Sequence, residues 1–152
     1  MINVLFVCTG DTCRSTMASA LLKDAIKTKN IKNLRCSSAG LFVVQPASMN
    51  KTAKIVLRKM GVVVPRHKST QLTLELLCKY NYCLTMTTEQ KFTILNKFPK
   101  LTNVKCISEV LGVDEIDDPY GKPEEVYYNV ARSLAIAVDN LIKIINEKGE
   151  LW

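Results

Sequence analysis

Short apolar runs alternate with helical stripes along the whole chain, and this alternation limits the possible folds more than any other feature. Asn3 to Cys8 is a β-branched and aromatic run that ends in a turn containing Gly10. From Thr16 the pattern is helical, with Met17, Leu21, Leu22, Ala25 and Ile26 on one face and Lys23, Asp24 and Lys27 on the other. A second strand is expected at Leu34 to Ala39, closed by Gly40, and a second helix at about Asn50 to Met60, ended by Gly61. Thr73 to Lys79 reads as a short helix, Tyr82 to Met86 as a strand, Glu89 to Phe98 as a helix stopped by Pro99, and Val104 to Ile107 as a strand. The last helix is the clearest. Pro123 suits its first turn, Glu124 and Glu125 complement its N-terminus, and Gly149 lies at its end. Tyr127, Val130, Ala131, Leu134, Val138, Leu141, Ile142 and Ile145 form its apolar stripe. The order predicts an α/β fold, a three-layer sandwich with a central, mainly parallel four-stranded sheet and helices on both faces, in a single domain over residues 1–152.

At 152 residues and 47% hydrophobic content, one core needs no covalent staples. The six cysteines are irregularly spaced, which fits reduced thiols in the cytoplasm better than disulfides. Cys8 and Cys13 have no second close cysteine pair, and His67 is the only histidine, so no metal site is expected. The opening apolar run is too brief for a signal peptide, and no apolar run approaches the roughly 20 residues of a spanning helix. The net charge of +7 comes from 21 basic and 14 acidic residues scattered without a basic block, a solvated surface rather than a nucleic-acid face. A monomer is expected.

The chemistry is concentrated in the first loop. Ligands of such sheets bind at the carboxyl ends of the strands, where a loop enters a helix N-terminus. Cys8-Thr9-Gly10-Asp11-Thr12-Cys13-Arg14-Ser15 occupies that place. Successive loop amides and the positive end of the following helix form an anion cradle. Arg14 adds a planar fork that grips two phosphoryl oxygens at once. The same surroundings favour a thiolate at Cys8. Cys8 alone would read as a small buried strand residue and Arg14 alone as a surface cation; their spacing between a strand and an amphipathic helix favours function. Gly-Lys-Ser/Thr is absent, so this is not a nucleotide-binding loop.

On these residues the chain resembles the low-molecular-weight protein phosphatases, whose signature is Cys-x-Gly-Asn-x-Cys-Arg-Ser-Pro. The resemblance extends over nearly the whole chain, to Ser38-Ala39-Gly40, to His67 and to Asp118-Pro119-Tyr120. It implies Cys8 as nucleophile, Arg14 as phosphate clamp and Asp118 as general acid. It implies phosphate binding by Thr9, Gly10, Asp11, Thr12, Cys13 and Ser15, with the Ser15 hydroxyl assisting the thiolate. Ser38 and His67 would brace the loop, and Phe42 and Tyr120 would wall the substrate entrance. The residues themselves leave Asp117 and Asp118 equivalent as acidic turn residues. Two positions depart from the signature, Asp11 for Asn and Thr16 for Pro. Asp and Asn both tolerate a left-handed backbone, but a carboxylate opposes anion binding and thiolate formation unless it is protonated or paired.

The implied reaction is attack of Cys8 on phosphorus, protonation of the leaving atom by Asp118, and hydrolysis of the phosphocysteine, with no metal or organic cofactor. The substrates would be phosphorylated proteins. Thr12 matches the bacterial protein-arginine phosphatases, which resemble this chain in Cys-Thr-Gly-Asn-Thr-Cys-Arg-Ser, whereas phosphotyrosine members carry a larger apolar residue there. Phosphoarginine is the expected substrate and phosphotyrosine the alternative. An arsenate reductase needs two further accessible cysteines after the third strand, where Met86 stands instead. A non-catalytic phosphoprotein-binding module is the remaining alternative.

Overall fold

The computed structural model describes residues 1–152. Its sheet is made of β1 (Ile2–Cys8), β2 (Leu34–Gly40), β3 (Tyr82–Thr85) and β4 (Val104–Cys106) in the order β2-β1-β3-β4. Every neighbouring pair is parallel. The helices are α1 (Arg14–Thr28), α2 (Lys51–Lys59), α3 (Leu74–Lys79), α4 (Thr88–Lys97), α5 (Ile107–Val110) and α6 (Glu124–Lys148). No helix is long and apolar enough to cross a membrane.

Alternate residues of β1 feed two cores, as a strand covered on both faces requires. Val4, Phe6 and Cys8 pack with the apolar stripes of α1, α2 and α6. Leu5 and Val7 pack on the other side with Leu77 of α3, Ile94 of α4, Cys83 and Val104. Fully buried leucines such as Leu57 and Leu134 each contribute roughly 1.5–3 kcal/mol by leaving water. The chain leaves β1 towards β2 on one side and later returns to β3 on the other. That reversal opens a crevice beside the carboxyl end of β1, where Cys8 stands.

The elements depart from expectation in three places. Helix α1 starts at Arg14, two residues early, so Arg14 and Ser15 belong to its first turn and helical geometry fixes their direction. Strand β4 stops at Cys106; Ile107, strand-like by type, opens one turn of helix because the Glu109 carboxylate accepts the Cys106 N–H at 2.7 Å. Pro123 stands at the cap of α6 with extended backbone, outside the first turn.

Burial pushes the Cys83 thiol up to about 12 and that of Cys36 up to about 11, from an ordinary value of 9.0. Both thiols favour the protonated form in the folded chain, so their contribution to stability is complete below about pH 9. It is lost as pH rises through the folded values. Urea denaturation across this range should show stability falling above pH 9, with a shallower fall in Cys83→Ala; stability rising above pH 9 would contradict it.

Candidate active site

The loop between β1 and α1 has few strand or helix partners of its own, so neighbouring segments hold it. Asp11 adopts a left-handed backbone (φ 55°), a conformation that Asp and Asn tolerate better than other side-chain-bearing residues. Its backbone carbonyl lies 2.7 Å from His67 Nε2, which must donate there because a carbonyl has no proton. Its carboxylate accepts the Ser15 hydroxyl at 2.7 Å and the Thr70 N–H at 2.9 Å. The carbonyls of Cys8 and Thr9 accept from Leu41 and Phe42, and that of Thr12 accepts from Asn50. Gly40 lies so close that a Cβ there would come within 2.8 Å of the Thr9 carbonyl oxygen and 2.9 Å of the Asp11 nitrogen.

A cavity of about 220 Å³ opens over this loop. Cys8, Thr9, Gly10, Thr12, Cys13 and Arg14 form its floor and sides, with Asp118 and Tyr120 opposite. The Cys8 sulfur is 2.9 Å from Ser15 Oγ. Arg14 donates through Nη1 to the Ile116 carbonyl at 2.9 Å, which aims the guanidinium along the floor and ties it to the segment carrying Asp118. Its Nη2 is 4.0 Å from the Asp118 carboxylate and makes a long contact of 3.5 Å with Thr9 Oγ1. The other Asp118 oxygen accepts the Tyr120 N–H at 3.1 Å, fixing the turn, while the side chain stays more than half exposed. Asp117 does not line the cavity.

Most of the residues singled out from sequence meet here, but not all in the expected places. Asp11 and Ser15 lie behind the cavity wall, so the Asp11 carboxylate faces the bracing network and not the anion space. Ser38 is buried in β2, in register with Phe6, and makes no hydrogen bond to the loop; Thr70 and His67 supply the bracing. Phe42 lines an adjoining cavity that shares Thr9, Arg14 and Asp118 with the first. Cys13 caps α1 beside the Tyr127 hydroxyl, and burial pushes its thiol up, keeping it neutral.

Sequence reasoning missed Gln90. Its Oε1 accepts the N–H groups of Met86 and Thr87, and its Nε2 donates to Thr9 Oγ1 at 3.2 Å, joining the start of α4 to the loop. The Thr87-x-x-Gln90 capping pattern was the available signal. Nothing in the local sequence marks the Ile116 carbonyl or the Thr70 N–H.

The geometry presents a thiol beneath an amide-rich concavity, an oriented guanidinium and a carboxylate across the opening. It suits transfer of an anionic group to sulfur with a proton donor on the leaving side. Residues 3–151 match the family model described as low molecular weight phosphotyrosine protein phosphatase. The chain belongs to that family. It is a protein phosphatase, a hydrolase. It is 36% identical over 142 residues to a protein-arginine-phosphatase of Geobacillus stearothermophilus, covering 91% of this chain and 93% of that one. It is 29% identical over 140 residues to the low molecular weight protein-tyrosine-phosphatase PtpB of Staphylococcus epidermidis, covering 91% and 96%. Among solved structures it resembles a mutant YwlE arginine phosphatase with a phosphorylated active site serine, at TM-score 0.90 and 29% identity over 99% of this chain and 100% of that one.

Gly40→Ala should displace the loop, because the atoms its Cβ meets are backbone and cannot rotate away. A loss of roughly 1–3 kcal/mol in stability is expected, as for other overpacked sites, together with a fall in phosphatase turnover. Unchanged denaturation midpoint and turnover would show that the loop does not depend on this close approach.

Proposed function

We propose that this single domain hydrolyses phosphoarginine in cytoplasmic phosphoproteins, as a monomer, through a phosphocysteine at Cys8. The observation that carries the choice of substrate is Thr12, whose residue lines the cavity beside Cys8 where a larger apolar side chain would narrow the space. A threonine leaves room for a planar guanidinium and offers it a polar partner, with the Asp118 carboxylate opposite. The Staphylococcus relative named for tyrosine keeps phosphotyrosine as the second reading.

In the reaction, the Cys8 thiolate attacks phosphorus in line with the leaving nitrogen while Arg14 and the loop amides hold the equatorial oxygens. Thr9, Gly10, Thr12 and Cys13 contribute from the cavity wall, and Asp11 and Ser15 hold the loop from behind. Asp118 protonates the leaving guanidine, then accepts a proton from the water that cleaves the phosphocysteine. Its exposure suits exchange of that proton with solvent. Phe42 and Tyr120, both largely exposed, flank the approach of the substrate chain. Two features disfavour arsenate reduction: Cys83 is buried in the core on the opposite face of the sheet from Cys8, and Met86 follows directly after β3.

Side-by-side kcat/KM measurements on phosphoarginine and phosphotyrosine peptides test the substrate. The expected result favours phosphoarginine, and Thr12→Ile should move the ratio towards phosphotyrosine by roughly 1 to 3 kcal/mol in relative transition-state binding. An unchanged ratio in the variant would remove the case for Thr12.

Asp118→Asn should lower kcat by roughly 100- to 10,000-fold, the range for a general acid, and Asp117→Asn by far less. Reversal of the two effects would reassign the acid.

A further inference from the structure

Asp11 stands where the family signature has asparagine, and the difference alters the proton count of a buried chain of three groups. Ser15 Oγ lies 2.9 Å from Cys8 Sγ and 2.7 Å from Asp11 Oδ1. Ser15 and Asp11 are both 0% exposed, so no water donates to either of them, and Cys8 meets solvent only at the cavity floor. A serine hydroxyl has one proton to give. If Ser15 donates to an ionised Asp11, it can only accept from Cys8, which must then be a thiol. If Ser15 donates to a thiolate, its oxygen lone pair faces Oδ1 at 2.7 Å, and two buried acceptors at that distance require a proton on Oδ1. An asparagine amide would donate to Ser15 without titrating. With aspartate, a proton on the carboxyl group favours the thiolate, and ionising both groups at once takes a higher pH.

We propose that Cys8, Ser15 and Asp11 form a proton relay that generates the nucleophile inside the protein. The S–H bond of Cys8 breaks as its proton passes to Ser15 Oγ, while the proton already on Ser15 passes to Asp11 Oδ1. Thiol and carboxylate become thiolate and carboxylic acid. The number of protons is unchanged, the net charge of the set stays at minus one, and no proton crosses to solvent.

The surroundings set the balance between the two forms. On the Cys8 side, the Arg14 guanidinium and the loop amides favour negative charge at sulfur, against the Asp118 carboxylate across the cavity, while the Cys13 thiol stays neutral and adds no charge. On the Asp11 side, the Thr70 N–H donates to Oδ2 and His67 Nε2 lies 3.6 Å from it, both favouring the carboxylate. When Cys8 becomes phosphorylated its negative charge is consumed in the new S–P bond, and the proton stays on Asp11. Hydrolysis returns the electron pair to sulfur and restores the starting set. Asp11 is a positioning residue in this scheme, acting on the reaction through Ser15.

The inference rests on Cys8 as the nucleophile but not on the choice of phosphorylated substrate, so it is read from the thiol and not from turnover. The rate of Cys8 alkylation by iodoacetamide, followed by peptide mass mapping against pH, should rise in two steps. The first corresponds to one shared proton and the second to its loss. Asp11→Asn should collapse the profile to a single step and raise the near-neutral rate by about tenfold or more, the effect of removing a buried like charge. Identical single-step profiles in both proteins would overturn the relay. A second measurement needs no loop variant to fold: infrared and ultraviolet spectra of the unsubstituted enzyme across the same pH range. A carboxylic-acid carbonyl band should persist where thiolate absorbance has already appeared and vanish through the second step. Thiolate absorbance without that band at a pH below the second step would also overturn the proposal. In Cys8→Ser, which supplies no transferable thiol proton, the band should disappear in one step at lower pH.

Discussion

A loop that leaves a strand and enters a helix within a few residues gives up the partners that strands and helices supply, and this constraint governs the site. The eight residues from Cys8 to Ser15 cannot stabilise their own conformation; the carbonyls they leave outward and the left-handed turn at Asp11 need donors from elsewhere. Those donors come from the segments after β2 and from residues 67–70, and Gln90 at the start of α4 donates to the Thr9 hydroxyl. Arg14 adds the opposite connection, reaching out of the loop to the Ile116 carbonyl. The cavity therefore has its shape only when four separate parts of the chain are in place, which ties the chemistry to completion of the fold.

The parallel sheet supplies those parts economically. With β1 between β2 and β3, the segments leaving the carboxyl ends of both neighbours run beside the loop, and the segment after β4 approaches across the opening. Two cores on opposite faces hold β1 in register, so Cys8 is delivered by one of the most deeply packed strands. The carboxylate is held differently: Asp118 belongs to a turn anchored by the buried backbone of Ile116, with its own side chain towards water.

What was legible in the sequence follows from how local each determinant is. The alternation of period-two and helical patterns, the glycine and proline stops and the Cys-to-Arg spacing are properties of neighbouring residues, and they identified the sheet, most helices and the loop. Val104 to Ile107 misled because a β-branched residue next to a strand carries the same signal whether it continues the strand or opens α5; the deciding contact was the carboxylate of Glu109. The choice between Asp117 and Asp118 was beyond local pattern, since adjacent acidic residues differ only in which way the chain turns them. The bracing by Thr70 and the anchor at Ile116 use backbone atoms, which every residue possesses, so no side-chain motif announces them.

The residues at the cavity mouth carry almost none of the fold. Phe42 is 67% exposed and Tyr120 74%, and neither fills space that another side chain must occupy. Replacing residues of that kind changes stability by little, whereas Asp11 and Ser15 behind the cavity are buried and interlocked. The molecule thus separates what evolution can vary from what it must keep: the rim can drift through many shapes and charges while the thiol, guanidinium and loop remain in place. A family built this way can spread across chemically different phosphorylated side chains without crossing a threshold of unfolding at each change.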